Sequence, residues 1–343
     1  MPFAAQQRVP GFLIVSLGIW GLLAPIPSRG PTVAAPVRSS MRDSSSGRTR
    51  VSMRHVDFYV DTNIVLHIRR LDGAMRSKEG GPILFDDKRS FTIAIDTAEV
   101  GLTGLDLSVL LNDYVFGYKG SPLTHQHLRT EGDHIVLTGR LHKVITVNFE
   151  ITGSLDVTRS GMIRIHPTKT KFLGLNGQKV LKLFGLSLEK LLDLKGATGA
   201  TVRENDIFLD PSKILPPPSI EGRVVAVRVE GDQVVQLFGA SQAHGREHAL
   251  VPPDAQAPNY MYFKGGTLRF GRLLMLDAEM QIVDLDPDDV FRFDLTRYHA
   301  QLVAGYEHTL ADGGLEVWMR DVDKLGAAGT APAKPRLPLR ESR

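Results

Sequence analysis

The residues best suited to chemistry in this 343-residue chain fall into a few short clusters. His244-Gly245-Arg246-Glu247-His248 matches the pattern HxxEH, in which two histidines one helical turn apart share a zinc ion and the glutamate serves the bound water as base. Its surroundings argue against that chemistry. Ser241 to Pro258 shows neither helical nor strand period, contains Pro252, Pro253 and Pro258, and has Gly245 inside the motif itself. A zinc-dependent hydrolase using His244, Glu247 and His248 is therefore the third-ranked reading, and no metal is assigned. Asp284, Asp286, Asp288 and Asp289 offer the hard oxygen ligands that calcium takes, but an EF-hand loop starting at Asp284 needs Gly where Asp289 stands and Glu where Leu295 stands. The run reads as a solvated acidic turn. His125 and His127 share one face of an expected strand, with no third ligand near them in sequence. The chain has no GxSxG elbow, no Walker loop and no dinucleotide fingerprint, so the reading is of a non-enzyme without a cofactor.

The elements that must position these residues are mostly strands. Ile145, Val147, Phe149 and Ile151 alternate with polar residues, as do Ile135, Leu137 and Leu141, then Phe91, Ile93 and Ile95, then Val225, Val227 and Val229. Leu274, Leu276, Ala278, Met280 and Ile282 continue the pattern. Period two marks half-buried strands of antiparallel type. Turn signals join them at Glu131-Gly132-Asp133, Ser160-Gly161, Glu204-Asn205-Asp206, Glu230-Gly231-Asp232 and Asp312-Gly313-Gly314. Three amphipathic helices are expected: Asn176 to Leu194, Asp106 to Phe116 and Leu295 to Tyr306.

The ends differ from the body. Arg8 precedes an apolar run from Gly11 to Ala24, and small residues follow at Thr32 to Ala35, the order of a secretory signal peptide cleaved after Ala34. The alternative is an uncleaved anchor, although the run is shorter than the roughly 20 apolar residues of a spanning helix. Residues 1–54 carry seven Arg and one Asp, and residues 324–343 carry five Lys or Arg and one Glu. That net +10 leaves residues 55–323 at −7 within a total of +3. Nucleic acid is not an expected partner of so acidic a body, whereas basic tethers could touch an anionic membrane surface. The absence of cysteine fits a bacterial envelope protein stabilised by burial rather than by disulfides. The expected organisation is a signal peptide over 1–34, a disordered basic linker over 35–54, a main domain over 55–240, a Pro-rich linker over 241–258, a β-rich unit over 259–323 and a disordered basic tail over 324–343.

The order of elements within the main domain carries a resemblance. A strand ending MIRIHPTKTKF leads to the helix NGQKVLKLFGLSLEKLL, the strand NDIFLDP and then PPPSIEGRVVAVRVEGDQVVQLF, with GDHIVLTGRL upstream. This resembles the bacterial LmeA-like phospholipid-binding family over roughly residues 55–240. The resemblance implies a tubular lipid-binding (TULIP-like) architecture, mainly β (α+β), with a long curved antiparallel sheet wrapped around one or two amphipathic helices. It also implies a phospholipid, or another acyl lipid, held by its chains in the periplasm or on the outer face of the cytoplasmic membrane. The unit from Asn259 departs from the simple family pattern. The helical faces select Leu107, Leu110, Leu111, Val180, Leu181, Phe184, Leu188, Leu191 and Leu192 as groove residues. The runner-up is a non-catalytic β-sheet scaffold or adhesion protein of the envelope.

Overall fold

The computed structural model describes residues 47–142, 146–173, 187–192, 194–239 and 250–326, all within one compact unit spanning Asp43–Arg343. The protein is mainly β. Strands β1 (Arg48–Asp61) and β2 (Ile64–Ser77) form a long hairpin, followed by the short β3 (Ile83–Leu84) and by β4 (Phe91–Thr103). Helix α1 (Gly104–Val109) continues as a π-helix over Leu110–Val115. Strands β5 (Leu123–Glu131), β6 (His134–His142), β7 (Thr146–Val157) and β8 (Ile163–Leu173) form an antiparallel meander. After α2 (Leu188–Leu191), the chain adds β9 (Ala200–Arg203), β10 (Asp206–Leu209), α3 (Pro211–Ile214), β11 (Ser219–Glu221), β12 (Arg223–Glu230) and β13 (Gln233–Gly239). The remainder is β14 (Tyr260–Lys264), β15 (Thr267–Phe270), β16 (Leu273–Leu276), β17 (Glu279–Asp284), β18 (Phe291–Asp294), α4 (Tyr298–Val303), β19 (Tyr306–Thr309), β20 (Leu315–Met319) and a 3₁₀ turn, Val322–Lys324.

Three sheets result. The largest has eleven strands in the order β12-β13-β4-β2-β1-β14-β17-β20-β19, with β11 on β4 and β18 on β1. The second, of six strands, runs β5-β6-β7-β8-β10-β9, and the third is β16-β15-β3. The expected turns at Glu131-Gly132-Asp133, Glu204-Asn205-Asp206 and Glu230-Gly231-Asp232 do join successive strands. Purely antiparallel pairing does not hold: β1 with β18, β4 with β11, β17 with β20 and β3 with β15 are parallel. Crossovers, rather than hairpins, bring these strands together.

Three expected boundaries are overturned. Residues 48–54, expected within a disordered linker, are the first half of β1, paired with β2 and, from Arg50↔Lys264 to Arg54↔Tyr260, with β14. Thr49, Val51 and Met53 turn inward and are buried, while Arg48, Arg50 and Arg54 flank them, half-buried. The arginine count hid a period-two strand, and Arg54 answers its charge with Asp72 at 2.9 Å. Likewise, the residues from Asn259 are not a separate unit. β14 and β18 both add to β1, so the last third of the described chain completes the large sheet. Lys324, assigned by sequence to a disordered tail, closes the 3₁₀ turn and pairs with Asp321 at 2.9 Å.

The join is sealed by aromatic rings. Phe85 touches Phe91, Phe263, Phe270, Phe293 and Tyr298 with centroids 4.8–6.2 Å apart, and Phe58 stacks on Phe293 at 5.7 Å. Each such ring contributes roughly 1.5–3 kcal/mol by burial, and edge-to-face or offset contacts add about 0.5–1.5 kcal/mol per pair. The turn from β14 to β15 fits only glycine at Gly266: its φ is +66°, and a Cβ there would stand 2.1 Å from the Arg48 carbonyl oxygen. The run Leu274 to Ile282 is two strands, not one, because Asp277 takes φ 53° between β16 and β17. Leu273, Leu274 and Leu276 are consequently exposed, while Met280 and Ile282 are buried. No helix among the described residues is long and apolar enough to cross a membrane.

The expected helix over Asp106–Phe116 begins two residues earlier, where Thr103 and Asp106 form a capping box. Its second half is wound as a π-helix, where the Asn112 side chain takes the Gln126 N–H at 2.9 Å and donates to the Gln126 carbonyl at 2.7 Å. The third expected helix is trimmed to Tyr298–Val303. Of the long helix expected over Asn176–Leu194, only Ser187–Leu192 and Leu194 lie within the described residues, and they supply the single turn of α2.

Candidate functional site

An apolar slot lies on one face of the six-stranded sheet. Leu137 and Leu141 of β6, Phe149 and Ile151 of β7, and Phe172 of β8 form its floor, with Leu123 and Ile207 at the flanks. These side chains share a face because alternate residues of a strand point the same way. Register then stacks them, since Leu137 pairs with Ile151, and Phe149 with Phe172. Gly139 sits opposite Phe149, and a Cβ at Gly139 would come within 2.8 Å of the ring. The missing side chain makes room for the phenyl group.

Leu188 and Leu192 close the slot. Their placement begins at the β9–β10 turn, where Glu204 holds φ 55°. The Leu188 N–H donates to Asn205 Oδ1 at 3.0 Å, and the Glu189 N–H donates to the Glu204 carbonyl at 3.0 Å. Among the described lining residues Thr170 alone is not apolar, and none is ionisable. As closed, the slot has a volume of about 20 Å³, room for little more than one water. A second apolar slot of about 30 Å³ lies against the large sheet between Phe58, Leu66, Ile95, Leu102 and Phe238, with Leu215 among its lining residues. A larger depression of about 590 Å³ is lined by Asn112, Phe116, Tyr118 and His125.

The nine residues selected from helical faces thus separate. Leu188 and Leu192 face the slot. Leu107, Leu110 and Leu111 line neither slot and belong to the filled core, each no more than 8% exposed. Val180, Leu181 and Phe184 lie outside the described residues, as does the Leu191 side chain. His244, Glu247 and His248 also lie outside them. The strand residues of the slot escape a reading based on helical faces; the alternation of Leu137, Leu141, Phe149 and Ile151 is the signal that marks them. His125 and His127 are both exposed, and a bulge between Thr124 and His127 interrupts the alternation that placed them on one face.

Two charged clusters lie elsewhere. His67 of β2 sets Nδ1 2.7 Å from Asp57 and Nε2 3.6 Å from Asp106. Burial alone would lower its pKa, but the carboxylates of Asp106 and Asp57 outweigh burial and hold it up to about 9. Asp106 responds in the opposite sense: burial raises its pKa, while His67, Thr103 and the Val65 N–H bring it below the usual carboxylate range. Asp106 also caps α1, so this cluster ties β1, β2 and the helix together. The second cluster corrects the reading of a solvated acidic turn. Asp286 and Asp288 do lie in the turn, but Asp284 ends β17 at 4% exposure, and burial with the neighbouring Asp321, Asp289 and Asp286 raises its pKa to about 7.

Comparisons with protein-family models, with curated proteins and with solved structures found no match to this chain.

Proposed function

We propose that this protein binds an acyl lipid, with phospholipid as the leading candidate, in the slot between the six-stranded sheet and α2, and that it does so as an exported envelope protein. The observation that carries this reading is the lining itself: among the described residues, aliphatic and phenyl side chains with Thr170 as the one polar member and no charge. Such a surface recognises methylenes, each of which contributes about 0.8 kcal/mol when removed from water. The closed slot is too small for a chain, so occupancy requires Leu188 and Leu192 to move off the sheet. Their attachment through three hydrogen bonds to the β9–β10 turn, the third from the Glu204 N–H to Glu189 Oε2 at 3.1 Å, makes that movement inexpensive relative to opening the sheet.

The second reading is a scaffold whose slots are filled core, and the small volumes of about 20 and 30 Å³ favour it. Native mass spectrometry of the full chain, with lipid extraction, separates the two. Bound phospholipid is expected on the wild type and is expected to fall at least tenfold in Leu192→Trp, which fills the slot without adding charge. A melting temperature within a few degrees of wild type would show that the variant folds. Protein that neither copurifies with lipid nor takes up phosphatidylglycerol from vesicles leaves the scaffold reading standing.

A further inference from the structure

We propose that the carboxylates of Asp284, Asp289 and Asp321 form a divalent-cation site, of the kind calcium occupies, in which Lys324 acts as a tethered competitor. The three residues come from the end of β17, from the loop before β18 and from the stretch after β20. One carboxylate oxygen from each lies within 4.8 Å of the others. Two oxygens bound to one calcium ion at about 2.4 Å are at most about 4.8 Å apart, so each pair lies within bridging range, and shifts of a few tenths of an ångström let a single ion meet all three.

Charge and burial point the same way. Asp284 is 4% exposed; its Oδ1 accepts the Asp286 N–H at 3.0 Å, but its Oδ2 is buried without a hydrogen-bond partner among the described residues. A buried carboxylate oxygen left unpaired is costly, and a cation removes that cost. The resident cations do not balance the cluster. Arg292 reaches Asp289 at 2.9 Å, Asp321 at 3.8 Å and Asp323 at 3.7 Å. Lys324 Nζ reaches Asp286 at 2.6 Å, Asp321 at 2.9 Å and Asp289 at 3.2 Å. Among the described residues, five carboxylates therefore face two positive side chains, and none of those contacts is made to Asp284.

The frame is already built. The Arg292 N–H holds Asp321 Oδ1 at 2.7 Å, and the Asn259 side chain donates to the Asp289 carbonyl, fixing the loop that presents Asp289. Lys324 is the movable part: it stands at the end of the last 3₁₀ turn with a side chain 38% exposed. A divalent ion of higher charge density displaces the ammonium, which swings into solvent on its flexible stem.

Calorimetric titration of EDTA-stripped full chain with calcium chloride at pH 8, ionic strength held constant with NaCl, tests this directly. One site per chain is expected, with magnesium weaker because it demands a tighter octahedral shell. Asp284→Asn and Asp321→Asn should each abolish the heat, and Lys324→Ala should tighten binding roughly tenfold, about 1.4 kcal/mol. Should an Asp variant fail to fold, terbium luminescence sensitised through Trp318, the neighbour of Val283 across β17 and β20, reads the site in wild type and in Lys324→Ala. No calcium-dependent heat or terbium signal up to about 10 mM in either protein, or heat that survives Asp284→Asn, overturns the proposal.

Discussion

The six-stranded sheet closes on leucines through a single helical turn, whereas the β1–β18 end of the large sheet closes on interlocked aromatic rings. Both are apolar, but they differ in what holds the cover down. Leu188 and Leu192 rest on the sheet, and their helical turn makes three hydrogen bonds to one turn. Phe85, Phe293 and Tyr298 meet rings from several strands at angles from stacked to edge-on, so no one ring moves without its neighbours. Aliphatic contact is non-directional and can be remade after sliding; ring packing is directional and resists it. A slot that opens belongs on the first kind of surface, and the junction that makes the C-terminal residues part of the fold belongs on the second.

That contrast breaks most visibly at Phe85. Phe85→Ala should cost about 3–5 kcal/mol, with Trp318 fluorescence and far-ultraviolet circular dichroism unfolding together in urea. Separate transitions would mean that the aromatic join does not make one cooperative body. Leu192→Ala should cost less, about 2 kcal/mol, the low end for a large-to-small core change, because the cover can settle onto the sheet. A loss as large as that of Phe85→Ala would place Leu192 in a rigid core and weaken the lipid reading.

The His67 cluster gives a pH test. Its folded pKa of about 9 stands above its ordinary value of 6.5, so the stabilisation is fully present below about pH 6.5 and is lost as pH rises through about 9. Stability should fall by on the order of 2 kcal/mol across that window, and His67→Gln should flatten the slope in denaturant titrations at pH 6, 8 and 10. The smallest effect is expected on the surface, where Arg69 bridges Glu99 at 3.1 Å and Glu230 at 2.9 Å with its own side chain 36% exposed. Arg69→Met should change stability by less than about 1 kcal/mol, and by still less in high salt. A larger change would show that the exposed network, rather than the packed faces, sets the strength of the β2–β4–β12 region.

Much of the fold is legible where a local rule decides it. Alternation marks β4, β6 and β7, and Gly-Asp or Glu-Asn pairs mark the turns between strands, because side-chain direction and positive φ are properties of a few neighbouring residues. Legibility fails where charge or distance intervenes. The arginines of β1 read as a solvated linker, although Thr49, Val51 and Met53 between them are buried. Leu107, Leu110 and Leu111 read as groove because an amphipathic face looks the same whether it covers a cavity or a filled core. Asp284 reads as part of an acidic turn because its neighbour Asp321 follows β20, far along the chain, where no local pattern links the two.

What the sequence determined by itself is the mainly β class, the turn positions and the apolar face of β7, all consequences of short-range periodicity and backbone preference. Only the tertiary structure decided that β1 receives β14 on part of its length and β18 on the rest, that Leu188 and Leu192 meet the face of the six-stranded sheet, and that three aspartates from separate segments stand within 4.8 Å of one another. Those outcomes depend on which strands pair after crossovers, and register between distant segments is chosen by the burial of the whole sheet rather than by any local pattern.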